Sequence, residues 1–263
     1  MADVLVTGGT GHLGSDIVGL LLAGGDRVRV LARTPGSKPG VEWIKGDLST
    51  GEGLAAAVDG VRTVVHAATN SPAAQRGRIK LVDMLRSPSD VDVDGTRRLL
   101  TESHRAGVQH FCHVSIVGVR EARLPYSRRK AEAEDLVRNG GIPWTIAPAT
   151  AFYWLLARLF DNLPRRMWPM PSNLAMQPCD SAEFAAYLVD CLGSGPAGDL
   201  AGFGGPETLP MPEFARQYLT AREISRRIVG LRMPQFGLRR AGRQTCPGGQ
   251  AGKVTWSGWL ATH

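Results

Sequence analysis

The sequence predicts an α/β protein: a doubly wound, Rossmann-type parallel sheet followed by a small C-terminal lobe. Three observations carry this. An apolar β-prone run, Val4-Leu5-Val6-Thr7, enters a glycine turn, Gly8-Gly9-Thr10-Gly11-His12-Leu13-Gly14, and a helical apolar pattern (Ile17, Val18, Leu20, Leu21, Leu22) follows at once. Strand-like and helix-like stretches then alternate as far as residue 146, which is the βαβ rhythm of a parallel sheet. The length, 263 residues with 43% hydrophobic content, suits one large α/β unit. We place a nucleotide-binding domain at residues 1–150 and a substrate-side region at 151–263, contiguous with it.

The glycine turn is a dinucleotide fingerprint in its proper context, strand before and helix after. Gly8 permits the backbone angles of a sharp strand-to-helix turn. Gly11 lets a pyrophosphate approach the main chain, and Gly14 lets the helix pack tightly on the strand. The free N–H groups at the helix start and the helix dipole favour the phosphates' charge. Thr7 and Thr10 add hydroxyl donors.

A second strand, Arg27 to Ala32, ends at Arg33, about 20 residues beyond the glycines, where an acid would bind the ribose hydroxyls of NAD. A cation there suits the 2′-phosphate of NADP, with Lys38 assisting. Val41 to Ile44 reads as a third strand and Gly51 to Val58 as a helix. Val61 to His66 reads as a fourth strand, ending in Ala67-Ala68-Thr69, small residues across which a cofactor can lie. Residues 70–90 are polar and irregular, longer than a simple connection needs. Asp94 to Ala106 is a helix stopped at Gly107. Gln109 to Ser115 is a fifth strand. Tyr126 opens a helix running to Asn139, and Ile142 to Ile146 is a sixth strand.

Tyr126 and Lys130, four apart, share a helix face. An ammonium beside a phenol favours the phenolate and lowers the tyrosine pKa. Ser115, at a neighbouring strand end, is placed to hold a carbonyl oxygen while Tyr126 donates a proton to it.

These residues resemble the short-chain dehydrogenase/reductase superfamily, and more narrowly its atypical NmrA-like branch. The matching stretches are Val6 to Gly14, Gly46-Asp47-Leu48, Val64 to Ala68, His113 to Gly118, Tyr126 to Lys130 and Pro143 to Ile146. Further matches are Gln177 to Ser181, Gly204 to Glu207 and Gly252 to Trp256. The resemblance implies an NAD(P)-dependent oxidoreductase. Its cofactor residues would be Gly8, Thr10, Gly11, His12, Leu13 and Gly14 at the pyrophosphate, Asp47 and Leu48 near adenine, and Ala67, Ala68 and Thr69 along the cofactor. Lys130 would lie on the nicotinamide ribose, and Ser115, Tyr126 and Lys130 would form the catalytic trio. With Arg33, the expected cofactor is NADP(H) in preference to NAD(H), and the expected substrate a carbonyl or quinone-like small molecule. Two other functions use the same residues: a regulatory protein that senses NAD(P) without turnover, and an NAD-dependent sugar epimerase or dehydratase.

Farther along, Ala151 to Phe160, Asp180 to Leu192 and Pro212 to Leu219 read as helices. The aromatic run Phe152-Tyr153-Trp154 fits either core packing or an apolar substrate pocket. Trp256 and Trp259 anchor the end. The charge is +7, with eight arginines and one acid, Glu223, between Arg216 and Arg243. This reads as a solvated basic face, and the lack of interleaved aromatics argues against nucleic acid as a partner. Four cysteines without CxxC pairing read as free thiols in a reducing compartment, and the histidines form no metal motif. No leader or membrane-length apolar run is seen, so a cytoplasmic location and no membrane partner are expected. Exposed helices of such a fold leave room for a homodimer.

Overall fold

The computed structural model describes residues 3–69, 90–163, 166–234 and 244–263. Most of the 70–90 stretch, and Arg239, Arg240 and Arg243 of the basic region, lie outside them. The first half consists of β1 (Asp3–Thr7), α1 (His12–Ala23), β2 (Arg27–Ala32), β3 (Val41–Lys45), α2 (Leu54–Val58) and β4 (Thr63–His66). A single π-helical turn, Asp90–Gly95, leads into α3 (Thr96–Arg105), β5 (His110–Ile116), α4 (Pro125–Arg138) and β6 (Trp144–Ala149). Helix α2 starts three residues later than the apolar pattern suggested. Gly51 and Gly53 hold positive φ, 89° and 74°, and form a turn that precedes it.

The central sheet runs β3-β2-β1-β4-β5-β6, with every pairing parallel. The chain moves outward from β1 to β3, then returns to β4 on the other side of β1. The carboxyl ends of β1 and β4 therefore flank the topological switch point, where ligands of this architecture bind. Thr7 and His66 are register partners there.

Strand alternation sends two apolar sets to the two faces. Val4, Val6, Val30, Val65 and Ala147 meet Ile17, Val18 and Leu21 of α1 on one face. Leu5, Leu31, Val64, Phe111 and Ile146 meet Leu54 of α2, Leu99 and Leu100 of α3 and Val137 of α4 on the other.

The second half does not stand apart from the sheet. Strands β9 (Gly198–Asp199), β10 (Phe203–Gly204) and β13 (Gln250–Ala251) extend it beyond β6, and α6 (Ser181–Gly193) packs beside α1. A third core gathers α5 (Tyr153–Asp161), β7 (Met167–Pro171), α7 (Met211–Ala221) and α8 (Trp256–Thr262). The lobe is completed by β8 (Ala175–Met176) with β11 (Leu209–Pro210), and by β12 (Arg227–Leu231) alongside β7. Trp256 is fully buried, its indole N–H donating to Phe214 O at 2.9 Å. Tyr153 and Leu156 lie in this core, so the aromatic run serves packing there.

All four cysteines are free thiols, Cys112, Cys179 and Cys246 buried and Cys191 half-buried. Among the described residues no helix is long and apolar enough to cross a membrane.

Candidate cofactor and active site

The glycine turn is shaped by close backbone contacts. Gly8 sits at φ +77°, and a Cβ there would lie 2.8 Å from Ala68 N. The turn after β1 thus presses directly on the segment after β4. A Cβ on Gly14 would lie 2.1 Å from Gly8 O, a separation no real side chain tolerates. Gly11 differs. Its nearest neighbour for a Cβ is Gly8 O at 3.3 Å, and the residue is exposed. Its missing side chain therefore leaves space outside the fold rather than inside it. Gly11 caps α1 without a side-chain hydrogen bond, and no acid stands in the first turn. The first helical N–H groups, those of His12 and Leu13, have no intrahelical acceptor. Exposed Thr10, Gly11 and His12 surround them. This is a cradle that fits a pyrophosphate.

Around the cradle, Arg33 is exposed at the end of β2. Asp47 accepts from the N–H and the hydroxyl of Ser49, both at 2.8 Å. Burial opposes ionisation of Asp47, but the two Ser49 donors and nearby Arg33 outweigh it and hold the carboxyl below its usual range. Leu48 is buried, and Ala67, Ala68 and Thr69 are half-buried beyond β4. Lys38 lies on the outer side of α1, its Nζ 3.5 Å from where a Gly19 Cβ would stand. His12 stacks on Trp154 of α5, ring centroids 4.5 Å apart, which ties the cradle to the C-terminal lobe.

A polar cluster lies past the end of β4, with Asp92 and Lys130 buried and Thr69 and Tyr126 half-buried. The Tyr126 hydroxyl is 3.2 Å from Thr69 Oγ1, and Thr69 donates to Asp92 Oδ1 at 2.7 Å. Lys130, 3% exposed, reaches Asp92 Oδ1 at 3.7 Å and donates to Val114 O at 3.3 Å. Asp92 is 1% exposed. Pro125 at the first helical position sets the entry to α4, and the four-residue spacing puts Tyr126 and Lys130 on one face.

The surroundings of the phenol shift its pKa opposite to the expected direction. Burial first, then the Asp92 carboxylate, push Tyr126 above its ordinary range, so it is held as a neutral phenol. Below the cluster, His66 bridges Thr7 (2.7 Å) and Thr96 (2.9 Å), and Thr96 donates to Asp92 O at 2.8 Å. His66 is driven down to about 3 by burial and by Lys130, so it is neutral.

Among the described residues Ser115 hydrogen-bonds elsewhere than to Tyr126. Its hydroxyl donates to Glu134 at 2.6 Å, and Glu134 in turn accepts from Arg120 at 3.1 Å and Arg138 at 3.2 Å. The reason is strand parity: Phe111, His113 and Ser115 point together under α3 and α4. Among the described residues, the hydroxyl that meets Tyr126 is that of Thr69. Asp92, Thr96 and His66 were not singled out from the sequence as partners of this cluster. Asp92 belongs to a π-helical turn, where neither the 3.6-residue nor the 2-residue period marks the inward side.

Fold and cradle together define a nucleotide-binding protein of the doubly wound class. The chain belongs to the NAD(P)H-binding family, whose model matches residues 8–153, more than half of it. Over 119 residues it is 40% identical to 3 beta-hydroxysteroid dehydrogenase/Delta 5-->4-isomerase of Mycobacterium tuberculosis, covering 44% of this chain and 32% of that protein. The match thus spans about a third of that relative's length. It is 28% identical over 225 residues to a (4-alkanoyl-5-oxo-2,5-dihydrofuran-3-yl)methyl phosphate reductase of Streptomyces griseus, covering 81% of this chain and 72% of that protein. In fold it is similar to UDP-glucose 4-epimerase of Thermotoga maritima, with a TM-score of 0.75 at 16% identity over 98% of this chain and 96% of that one.

Proposed function

We propose that this protein is an NADP(H)-dependent oxidoreductase that reduces a carbonyl or quinone-like small molecule. The observation that carries the reading is the cluster at the carboxyl end of β4. A neutral phenol, a hydroxyl, a buried ammonium and a carboxylate stand within reach of one another, beside a cradle that fits a pyrophosphate. The names of the two curated relatives, a dehydrogenase and a reductase, agree with that reaction class. The nicotinamide, when bound, supplies a hydride to the substrate carbon.

This chain's residues supply the rest. Tyr126 donates its phenolic proton to the carbonyl oxygen as the hydride reaches the carbon, so C=O becomes CH–OH and Tyr126 is left as phenolate. Lys130 stabilises that phenolate electrostatically and holds the cofactor ribose, and a solvent proton restores the phenol. Thr69, not Ser115, is the hydroxyl beside Tyr126: its proton goes to Asp92, so it accepts from the phenol and orients it toward the reacting oxygen. Exposed Arg33 pairs with the 2′-phosphate and favours NADP(H) over NAD(H).

The test is Tyr126→Phe with NADPH and a panel of carbonyls and quinones. Turnover should fall by about 10²- to 10⁴-fold, the range of one general acid, with NADPH affinity unchanged. Full turnover in that variant would reject the assignment. NADPH binding with no turnover of any panel member would move the chain to the nucleotide-sensing reading.

A further inference from the structure

We infer that the outer face of the β7–β12 ribbon docks this protein on an anionic phospholipid surface. The inference uses no residue of the proposed reduction and stands apart from it.

Strand parity builds the face. β7 and β12 pair in parallel, with Met167 beside Arg227 and Pro171 beside Leu231. Alternation turns Trp168 and Met170 inward, where both are buried in the core of the lobe, and Ile228 of β12 packs with them. The opposite parity, Met167 and Pro169 on one strand and Arg227, Val229 and Leu231 on the other, turns outward. Met167 is 49% exposed and Leu231 51%. Among the described residues they are two of the three exposed large apolar side chains, and the third, Leu20, stands on α1. Leu231 is not a frayed end. Ser172 N donates to Leu231 O at 2.9 Å, and the Asn173 side chain both donates to Met233 O and accepts from Met233 N. The fold holds these apolar groups out in water on a fixed platform, which marks an interaction surface.

Arginines flank the platform at both ends. Arg166 and Arg227 adjoin Met167, and Arg232 adjoins Leu231, all three exposed. None of the three has a carboxylate partner among the described residues, whereas Arg216 of α7 pairs with Glu213. Nor is nearby Asp161 left over, since it accepts from the Tyr218 hydroxyl. Unpaired cations around a flat apolar face complement a lipid surface. Headgroup phosphates take the guanidinium groups, and Met167 and Leu231 enter the acyl boundary beneath them. An acidic peptide would answer the arginines and leave the two apolar side chains in water. Among the described residues the face carries no aromatic ring on which a nucleic-acid base can stack. A peripheral contact of this kind requires no membrane-spanning helix.

Co-sedimentation of the full chain with lipid vesicles tests the inference. One set of vesicles holds phosphatidylglycerol in phosphatidylcholine, and the other phosphatidylcholine alone. The wild type should bind the first set and not the second, and should bind less as salt rises. Arg227→Gln with Arg232→Gln should weaken binding about 25-fold, at about fivefold for each surface arginine. Met167→Gln with Leu231→Gln leaves the charge unchanged and should still weaken binding about 10-fold. All four side chains are exposed, so circular dichroism should show the thermal midpoint within a few degrees of the wild type. If a double variant fails to fold, Arg232→Gln and Leu231→Gln taken singly should each weaken binding. Absence of binding to the anionic vesicles, equal binding to both sets, or full binding by both double variants would overturn the inference. So would binding to poly-glutamate or single-stranded DNA as tight as to vesicles, with vesicle affinity untouched by Met167→Gln and Leu231→Gln; the partner would then be an acidic macromolecule. None of these readouts involves nucleotide or turnover, so their failure is distinguishable from failure of the proposed reaction.

Discussion

The two halves of the candidate site are built on opposite principles. The glycine turn is open: Thr10, Gly11 and His12 are exposed, and the first N–H groups of α1 have no side-chain cap. The cluster around Tyr126 is closed on itself: Lys130 and Asp92 are buried, Thr69 and Tyr126 half-buried, and its polar groups hydrogen-bond or ion-pair with one another. The first waits for a ligand to supply partners, as a binding surface must. The second is organised before any ligand arrives, as groups that must act on a defined atom need to be. The two halves lie on either side of the switch point, and each can be disturbed by its own substitutions.

The largest effect tests whether the open half is open only outward. Gly14→Val places carbons against Gly8 O, where a Cβ alone would lie at 2.1 Å. The cost should exceed about 4 kcal/mol in a denaturant titration, enough to prevent folding of a marginal protein. Gly11→Ala meets nothing nearer than 3.3 Å. It should keep the thermal midpoint within a few degrees and yet lose nucleotide affinity in calorimetry. Equal damage from both would abolish the distinction between a packing glycine and a cradle glycine.

A pH effect probes the closed half. His66 has its folded pKa lowered from 6.5 to about 3, chiefly by burial. A group depressed in the folded state binds its proton preferentially when unfolded, so stability is full above about 6.5 and falls as pH drops toward 3. The loss should be on the order of 4 kcal/mol across that window. His66→Asn removes one such proton from the slope of stability against pH. A slope unchanged by that substitution would show that the imidazole is not held neutral beneath the cluster.

The specificity of the open half is a smaller effect. Arg33→Ala should weaken NADPH binding about 10- to 100-fold, the worth of one charged hydrogen bond, and leave NADH binding nearly unchanged. Equal losses for both nucleotides would place Arg33 elsewhere than at a 2′-phosphate.

The open half was legible in the sequence and the closed half only partly so, for a physical reason. A glycine turn is a local device: Gly8, Gly11 and Gly14 act within seven residues, and their spacing is itself the signal. Tyr126 and Lys130 are likewise four residues apart on one helix. Thr69 and Asp92 lie 23 residues apart, and Asp92 and Lys130 lie 38 apart, so their meeting depends on the sheet order. Ser115 shows the limit more sharply. Its place at a strand end was readable, but function depends on which face it joins. It shares parity with Phe111, which is fully buried under the helices, and that placed its hydroxyl on Glu134. The short strands β8, β9, β10, β11 and β13 have two residues each and carry no period to read.

The smallest effect concerns the contact between the open half and the lobe. His12, inside the fingerprint, stacks on Trp154 at 4.5 Å with ring planes 20° apart, and Trp154 also lies 5.9 Å from the Arg158 guanidinium. Because His12 lies in the first turn of α1, the stack fixes the wall of the cradle from the C-terminal side. A double-mutant cycle with His12→Ala and Trp154→Leu should give a coupling of about 1 kcal/mol in stability, the scale of an aromatic pair. The same cycle measured on nucleotide affinity decides what the stack is for. Coupling in both quantities makes Trp154 part of the cradle and joins the lobe to the binding half. Coupling in stability alone makes the stack ordinary packing and leaves the cradle to the glycines.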